Sequence, residues 1–252
     1  MEHLLHADES IVEINEDLRL IQKKTGLKFG TDSYLVSAFV KKNLRGEACD
    51  LGSGCGVISL FAAARASFKK VTAIEIQKEF ADLTERNAEL NGLSDKIESV
   101  CLDVRDVPSH FQKESFACVM TNPPYMKSGS GKRCASLQTD TARREINGGI
   151  DDFVKASSYL LKYGGLFYIV YRPERAAELI HSMKENSLEP KRFVTVYPDV
   201  SSAPCLILVE AKKGAAPGMK FSRPLIIYNE ERKYTKDMER VYDEFSLDHL
   251  FE

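Results

Sequence analysis

The sequence predicts a doubly wound α/β fold, with seven strands in a mostly parallel sheet and an antiparallel edge strand. Three observations carry this. Short β-rich runs alternate with helical segments from residue 46 onward. A glycine-rich loop opens the first of those helices. Acidic residues fall at the ends of successive strands, where open α/β sheets bind ligands.

Taken in order, Ala48 to Leu51 is the first predicted strand, and Val57 to Ala66, rich in Ala, Leu and Phe, the helix after it. Lys70 to Ile76 is the second strand. A helix from Lys78 to Leu90 follows and stops at Asn91-Gly92, a C-cap signature. Ile97 to Leu102 and Phe116 to Met120 are two more strands. Ile150 to Tyr163 reads as a helix ended by Gly164-Gly165, and Leu166 to Tyr171 as an apolar strand. Pro173 to Asn186 fits a helix with Pro in its first turn. Arg192 to Tyr197 and Leu206 to Ala211 form the last two strands, an antiparallel pair at one edge.

Ahead of the sheet, residues 1–45 are expected to hold a hairpin within Leu18 to Phe29 and a helix from Asp32 to Asn43, with Asp32 helping to cap it. Residues 46–213 form the main domain, interrupted at 126–146 by a polar, basic insert. Residues 214–252, with Pro217, Gly218 and Pro224, look like an irregular extension over the surface.

With 252 residues, 43% apolar and 29% charged, the chain can bury one good-sized core. Its formal net charge of −2 excludes a polycation, so any contact with nucleic acid must come from a local basic patch. Met1 to Ser10 carry three acids and no Lys or Arg, the wrong polarity for a secretory signal. No run approaches the roughly 18 apolar residues of a membrane span, and a cytoplasmic protein is expected. The six cysteines (49, 55, 101, 118, 134 and 205) include no C-x-x-C pair, and the five histidines are scattered. Cys49, Cys101, Cys118 and Cys205 sit in apolar strand-like runs. Reduced structural cysteines and no metal site are therefore expected.

The loop is Asp50-Leu51-Gly52-Ser53-Gly54-Cys55-Gly56. Glycines at 52, 54 and 56 permit a tight turn and close approach of backbone to a ligand at the helix N-terminus. The spacing is G-x-G-x-G, not the G-x-G-x-x-G of dinucleotide folds. Asp50, just before it, would repel a pyrophosphate but suits a cationic ligand such as the ammonium of a methionine moiety. Glu75, ending the second strand, can accept both hydroxyls of a ribose. Asp103, ending the third, is in reach of an adenine amino group. One such acid is an ordinary loop residue; three in succession predict a cofactor site.

After the fourth strand stands Asn122-Pro123-Pro124-Tyr125. A proline pair can be a mere rigid turn. At this strand end, however, the quartet resembles the N-P-P-Y motif of S-adenosylmethionine-dependent methyltransferases that act on planar amino nitrogens. The resemblance implies that the Asn122 side-chain oxygen and the Pro123 carbonyl accept the two N–H bonds of the target amine. Asn122 would then face cofactor as well as substrate. The gain is orientation plus stabilisation of positive charge developing on nitrogen. Pro123 and Pro124 lock the backbone, and Tyr125 offers a ring to stack on the target.

Across most of its length the chain resembles the tRNA1(Val) (adenine-37-N6)-methyltransferase family. The matching stretches are Lys28-Phe29-Gly30-Thr31-Asp32-Ser33, the glycine loop, the quartet, Ala142-Arg143-Arg144-Glu145 and Arg172-Pro173-Glu174-Arg175. The resemblance implies a Rossmann-like class I fold, a tRNA substrate methylated on an adenine beside the anticodon, and Gly30 and Thr31 lying against the cofactor. Lys127, Lys132, Arg133, Arg143 and Arg144 make the insert basic. It is either a solvated charged loop or a grip on phosphates while the base is flipped.

Other readings share these motifs. A protein-glutamine N5-methyltransferase uses the same quartet on a carboxamide, but that group carries a helical substrate domain ahead of its glycine loop. Here that stretch already reads as hairpin and helix. An rRNA guanine-N2 methyltransferase and a non-catalytic RNA-binding module that kept the fold are the others.

Overall fold

A computed structural model describes residues 4–25, 30–65, 68–124 and 149–252. A hairpin of β1 (Glu9–Glu13) and β2 (Arg19–Lys23) leads into α1 (Thr31–Phe39). The alternating core follows: β3 (Gly46–Leu51), α2 (Val57–Ala64), β4 (Phe68–Glu75), α3 (Lys78–Leu90), β5 (Ile97–Cys101), the single turn α4 (Val107–His110) and β6 (Phe116–Thr121). Then come α5 (Ile150–Leu160), β7 (Leu161–Tyr171), α6 (Ala176–Glu185), β8 (Leu188–Tyr197) and β9 (Leu206–Lys213). The chain ends with β10 (Lys220–Phe221), β11 (Leu225–Ile226) and α7 (Lys236–Glu244).

The seven long strands lie in the order β5-β4-β3-β6-β7-β9-β8. β3 pairs parallel with β4 on one side and β6 on the other, so the chain reverses its direction of travel across the sheet there. The carboxyl ends of β3 and β6 consequently flank the crevice that such a reversal opens. This is the predicted doubly wound sheet, with one correction. The strand that runs against the rest is β9, which lies between β7 and β8 rather than at the edge. The short β10 and β11 then cover the outer side of β8.

β3 is buried on both faces: Ala48 and Asp50 are covered as fully as Cys49 and Leu51. A continuously buried run is what a central parallel strand requires. On one face α1, α2 and α7 bury Leu35, Phe39, Leu60, Phe61, Met238 and Val241. On the other, α4, α5 and α6 bury Val107, Phe153, Leu160, Leu179 and Met183. The hairpin is bolted to α3 by Asn87, whose Oδ1 accepts from Ile21 N (2.6 Å) and whose Nδ2 donates to the carbonyls of Ile21 and Cys55 (3.0 and 2.9 Å). Arg86 of α3 donates to the buried Glu9 (Nη2 to Oε1, 2.7 Å).

Four local expectations are corrected. Only β2 lies within the stretch assigned to the hairpin; its partner is Glu9–Glu13, upstream. Residues 26–29 are outside the described ones. Gly30, extended at φ −124° and ψ 167°, takes the N-cap position of α1, while Asp32 Oδ1 accepts from the adjacent Ser33 N. The helix before β7 ends at Leu160 rather than at the Gly pair, and the strand starts at once. Gly164 sits inside it at φ 78°, where the pairing with β6 jumps from Phe116–Leu161 to Cys118–Leu166. An irregularity with positive φ suits Gly, which has no Cβ to clash.

The fourth concerns the last segment, which is structured rather than irregular. α7 is capped by Thr235, whose Oγ1 accepts from Met238 N (3.2 Å). Beyond it, Arg192 lies between the rings of Phe39 and Phe251 (4.8 and 4.1 Å to the centroids) and donates to Asp248 (2.6 Å). Cys49 and Cys118 are buried and Cys101 exposed, so Cys101 is no small core hydrophobe; all three are free, as are Cys55 and Cys205. Among the described residues no helix is long and apolar enough to cross a membrane.

Candidate active site

The glycine loop turns back over the ends of β3 and β4. Gly52 N and Ser53 N both donate to Ile74 O (2.8 and 3.0 Å), and Gly56 N donates to Ser53 O (2.9 Å). Gly52, Gly54 and Gly56 all have positive φ, at 72°, 55° and 80°. Gly56 is constrained twice: a Cβ there would also stand 2.7 Å from Thr84 Cγ2 of α3. Thr84 secures the loop by donating from Oγ1 to Gly54 O (3.0 Å).

Two of the predicted acids sit in this loop's shelter. Asp50 Oδ2 accepts from Ser59 N (3.1 Å) and Ser59 Oγ (2.8 Å). Its other oxygen, Oδ1, is buried without a partner. Burial pushes the carboxyl up to about 7, against the two Ser59 hydrogen bonds that favour the anion, and the nearby Glu75 charge adds to the rise. Glu75 Oε2 accepts from Gly54 N and Oε1 from Gln77 N, each at 3.0 Å. It is buried and raised by desolvation, yet a carboxylate has lone pairs for about four hydrogen bonds, so each oxygen can accept one more. Asp103 differs. It follows the end of β5, is partly exposed, and accepts from Arg105 N and Nε (2.9 Å each) and from Arg105 Nη2. The Arg105 guanidinium holds its carboxyl below the usual range, so contact with an adenine amino group would share this oxygen pair.

Asn122 emerges directly from β6. Thr121 Oγ1 donates to Leu51 O (2.7 Å) and ties the end of β6 to the end of β3. Asn122 Nδ2 donates to Ser33 Oγ of α1 (3.0 Å), while Oδ1 is buried and unpartnered. Pro123 is buried and Pro124 half-buried. Gly30, as N-cap, and Thr31 open the helix α1 that carries Ser33. Tyr125, Lys127, Lys132, Arg133, Arg143 and Arg144 lie outside the described residues, as does Ala142-Arg143-Arg144-Glu145 as a whole. In the remaining matching stretch, Arg175 pairs with Glu178 (2.7 and 2.8 Å) and lies over the Tyr171 ring, and Arg172 donates to Cys205 O (3.2 Å).

Six buried side-chain atoms among the described residues lack a partner. Three of them, Asp50 Oδ1, Ser53 Oγ and Asn122 Oδ1, stand at the carboxyl ends of β3 and β6. An unsatisfied buried acceptor costs about 1–3 kcal/mol, so three on one crevice mark a place built to receive polar groups from a ligand. The set of acceptors fits a cofactor with a cationic amino-acid end and a ribose: a buried acid beside the glycine loop, then a second acid with open lone pairs. The one cluster of metal-capable side chains among the described residues, His6, Asp8 and Glu9, lies at the start of the hairpin, and its Glu9 is engaged by Arg86.

Residues 24–189 match the model of the methyltransferase small domain family. The chain belongs to that family. As a methyltransferase it is similar to two curated tRNA1(Val) (adenine(37)-N6)-methyltransferases. One, from Bacteroides fragilis strain YCH46, is 27% identical over 74% of this chain and 77% of its own. The other, from Actinobacillus pleuropneumoniae serotype 7, is 24% identical over 89% and 92%. In fold it resembles a protein from Agrobacterium tumefaciens titled a predicted O-methyltransferase, with TM-score 0.70, 24% identity, and 85% and 97% of the chains covered. It also resembles the M. jannaschii tRNA m1G37 methyltransferase, with TM-score 0.57, 17% identity, and 83% and 58% covered.

Sequence reasoning missed Ser59, Ser53 and Ser33, which hold or accompany the predicted side chains. Ser59 carried a signal: it is the one polar residue in the helix Val-Ile-Ser-Leu-Phe-Ala-Ala-Ala. A hydroxyl at a wholly buried position needs a partner, and Asp50 is that partner.

Proposed function

We propose that this methyltransferase acts on the N6 amine of an adenine in tRNA, at position 37 beside the anticodon, with S-adenosylmethionine as cofactor and in the cytoplasm. One observation carries the reading: the Asn122 amide is held by its nitrogen end, leaving a buried, unpartnered oxygen beside Pro123 at the switch in strand order. The sequence similarity to tRNA1(Val) adenine-N6 enzymes supports the choice of base and RNA.

Bound, S-adenosylmethionine supplies an electrophilic methyl group on a sulfonium. Asp50 and the loop of Gly52, Ser53, Gly54 and Gly56 receive its amino-acid end, Glu75 its ribose hydroxyls, and Asp103 its adenine amino group; Gly30 and Thr31 close the site from α1. Asn122 Oδ1 and the Pro123 carbonyl accept the two N–H bonds of the target amine. An adenine amine is a poor nucleophile because its lone pair is delocalised into the ring. Two acceptors draw density toward nitrogen and stabilise the positive charge that develops there. No strong base is needed, since the methylated, cationic amine sheds its proton readily. Tyr125 stacks on the flipped base, and Lys127, Lys132, Arg133, Arg143 and Arg144 grip phosphates.

The test is to incubate the protein with methyl-labelled cofactor and, separately, tRNA, rRNA and a release-factor peptide. Label is expected in tRNA and should digest to N6-methyladenosine. Label in the peptide alone would make this a glutamine methyltransferase, and N2-methylguanosine from rRNA would make it a guanine enzyme; either overturns the reading. On the cofactor side, Glu75→Ala should weaken S-adenosylhomocysteine binding by about 1–2 kcal/mol, because a charge-assisted acceptor is lost from a buried site. Calorimetry giving unchanged affinity would make Glu75 a brace for Gly54 and Gln77 and nothing more.

A further inference from the structure

We infer that Ser33 is a positioning residue for methyl transfer: its hydroxyl anchors the Asn122 amide by its nitrogen end and so holds the oxygen where it meets the target amine. This rests on the amine-methylation reading above and adds a residue to it. An amide has two ends of similar size and opposite hydrogen-bonding character. With its oxygen toward the amine, Asn122 accepts an N–H. Rotated by half a turn, it would present donors to a donor, and the amine would lose the acceptor that orients it. The side chain must therefore be held in the productive position before substrate arrives.

The structure supplies one such contact among the described residues. Asn122 Nδ2 donates to Ser33 Oγ at 3.0 Å, joining positions 89 apart in the chain. Ser33 is only 9% exposed, so water competes poorly for this bond. Its mount is rigid. Ser37 Oγ donates to Ser33 O (2.8 Å), and the next residue, Tyr34, packs edge-on against Phe61 (5.5 Å between centroids) and against Phe245 (5.0 Å) of the segment following α7. α1 is thereby clamped between α2 and the chain's last helical segment, and Ser33 is carried with it. The opposite end of the amide, Oδ1, is left buried and unpartnered. The bond at one end and the unpartnered oxygen at the other make a directed acceptor.

Ser33→Ala removes the hydroxyl and keeps the helix position; Ser33→Thr restores it. The expected result is a fall in kcat of roughly tenfold in Ser33→Ala, the loss of one neutral hydrogen bond worth about 1.4 kcal/mol, with most of it recovered in Ser33→Thr. The KM for tRNA, dominated by phosphate contacts, should move far less. In an Asn122→Ala background Ser33→Ala should cost nothing further, because it acts only through that amide. A second readout needs no substrate. In protein labelled with 15N at asparagine, the Asn122 side-chain NH2, assigned by its absence from Asn122→Ala, should exchange slowly with solvent. That protection should drop by roughly tenfold in Ser33→Ala and return in Ser33→Thr. Unchanged protection in Ser33→Ala would overturn the inference, as would an equal loss of turnover with Asn122 already removed. A lowered melting midpoint without rescue by threonine would reduce Ser33 to a packing role and overturn it as well. If the unaltered protein leaves tRNA unmethylated, the substrate reading is what fails, and the exchange measurement still decides the role of Ser33.

Discussion

Asn122→Ala is expected to lower kcat by roughly 100-fold or more while leaving affinity for S-adenosylhomocysteine nearly intact. The reason lies in what each end of the side chain touches. Its nitrogen is spent on Ser33 and its oxygen accepts no hydrogen bond among the described residues, so the amide contributes little to holding the loop or the acids of the candidate cofactor site. The interaction it makes with a substrate amine strengthens as positive charge builds on nitrogen, and contacts that strengthen in the transition state appear in kcat. Removing an oxyanion-hole donor costs two to three orders of magnitude in other enzymes; Asn122 is the mirror case, an acceptor for a developing cation. Fold loss is controlled by the same variant's melting midpoint, since Thr121 and not Asn122 ties β6 to β3. Turnover within a few-fold of the unaltered protein would sink the assignment of the quartet as the reacting centre.

The parts of this fold that were readable beforehand are those where burial on both faces leaves a continuous apolar run. β6 over 118–120 and β7 over 167–171 are such runs, β3 over 48–51 is one but for Asp50, and β3 and β6 end where the candidate site begins. The candidate acids stand out for a related reason: Asp50 interrupts the buried run of β3, and Glu75 closes that of β4. The hairpin was misplaced because β1, Glu-Ser-Ile-Val-Glu, opens and closes on charge, and only the structure shows that Glu9 is buried against Arg86. β10 and β11 are two residues long each, too short for any alternation to register. α7 did carry a signal, since Met238 and Val241 are three apart within Lys-Asp-Met-Glu-Arg-Val-Tyr-Asp-Glu and Thr235 precedes it as cap. The upstream Pro and Gly residues outweighed it. Ser33 closes one of the stretches that carry the resemblance, yet its role toward Asn122 could not be found from sequence. Its meaning depends on a residue 89 positions away, and nothing local distinguishes it from a solvated serine in a first helical turn.

Affinity for S-adenosylhomocysteine should rise with pH between about 5.5 and 8, by roughly 30-fold in total, and then level off. The group responsible is Asp50. Desolvation raises its carboxyl to about 7, so in the ligand-free protein it is largely neutral below that pH. The groups that bear on it are Ser59, whose N–H and Oγ both donate to Oδ2 and favour the anion, and Glu75, whose charge disfavours it. A bound ammonium adds an opposite charge in a buried site and pulls the Asp50 pKa down, so the complex holds fewer protons than the free protein. Binding then releases a proton and is favoured as pH rises. Below the free pKa, each unit of acid costs up to about tenfold in affinity; above it, the cost disappears. Glu75, also raised by burial, acts in the same direction and can only steepen the slope. Asp50→Asn is the decisive comparison. It keeps an acceptor of the same shape but cannot ionise, so it should bind weakly at pH 8 and lose most of the pH dependence, leaving only the Glu75 contribution. Calorimetry at several pH values in buffers of different ionisation heat reads both the affinity and the proton released. A flat affinity from pH 5.5 to 8 in a protein that stays folded would mean that Asp50 keeps one protonation state through binding, and would sink the pairing of its raised carboxyl with the ammonium.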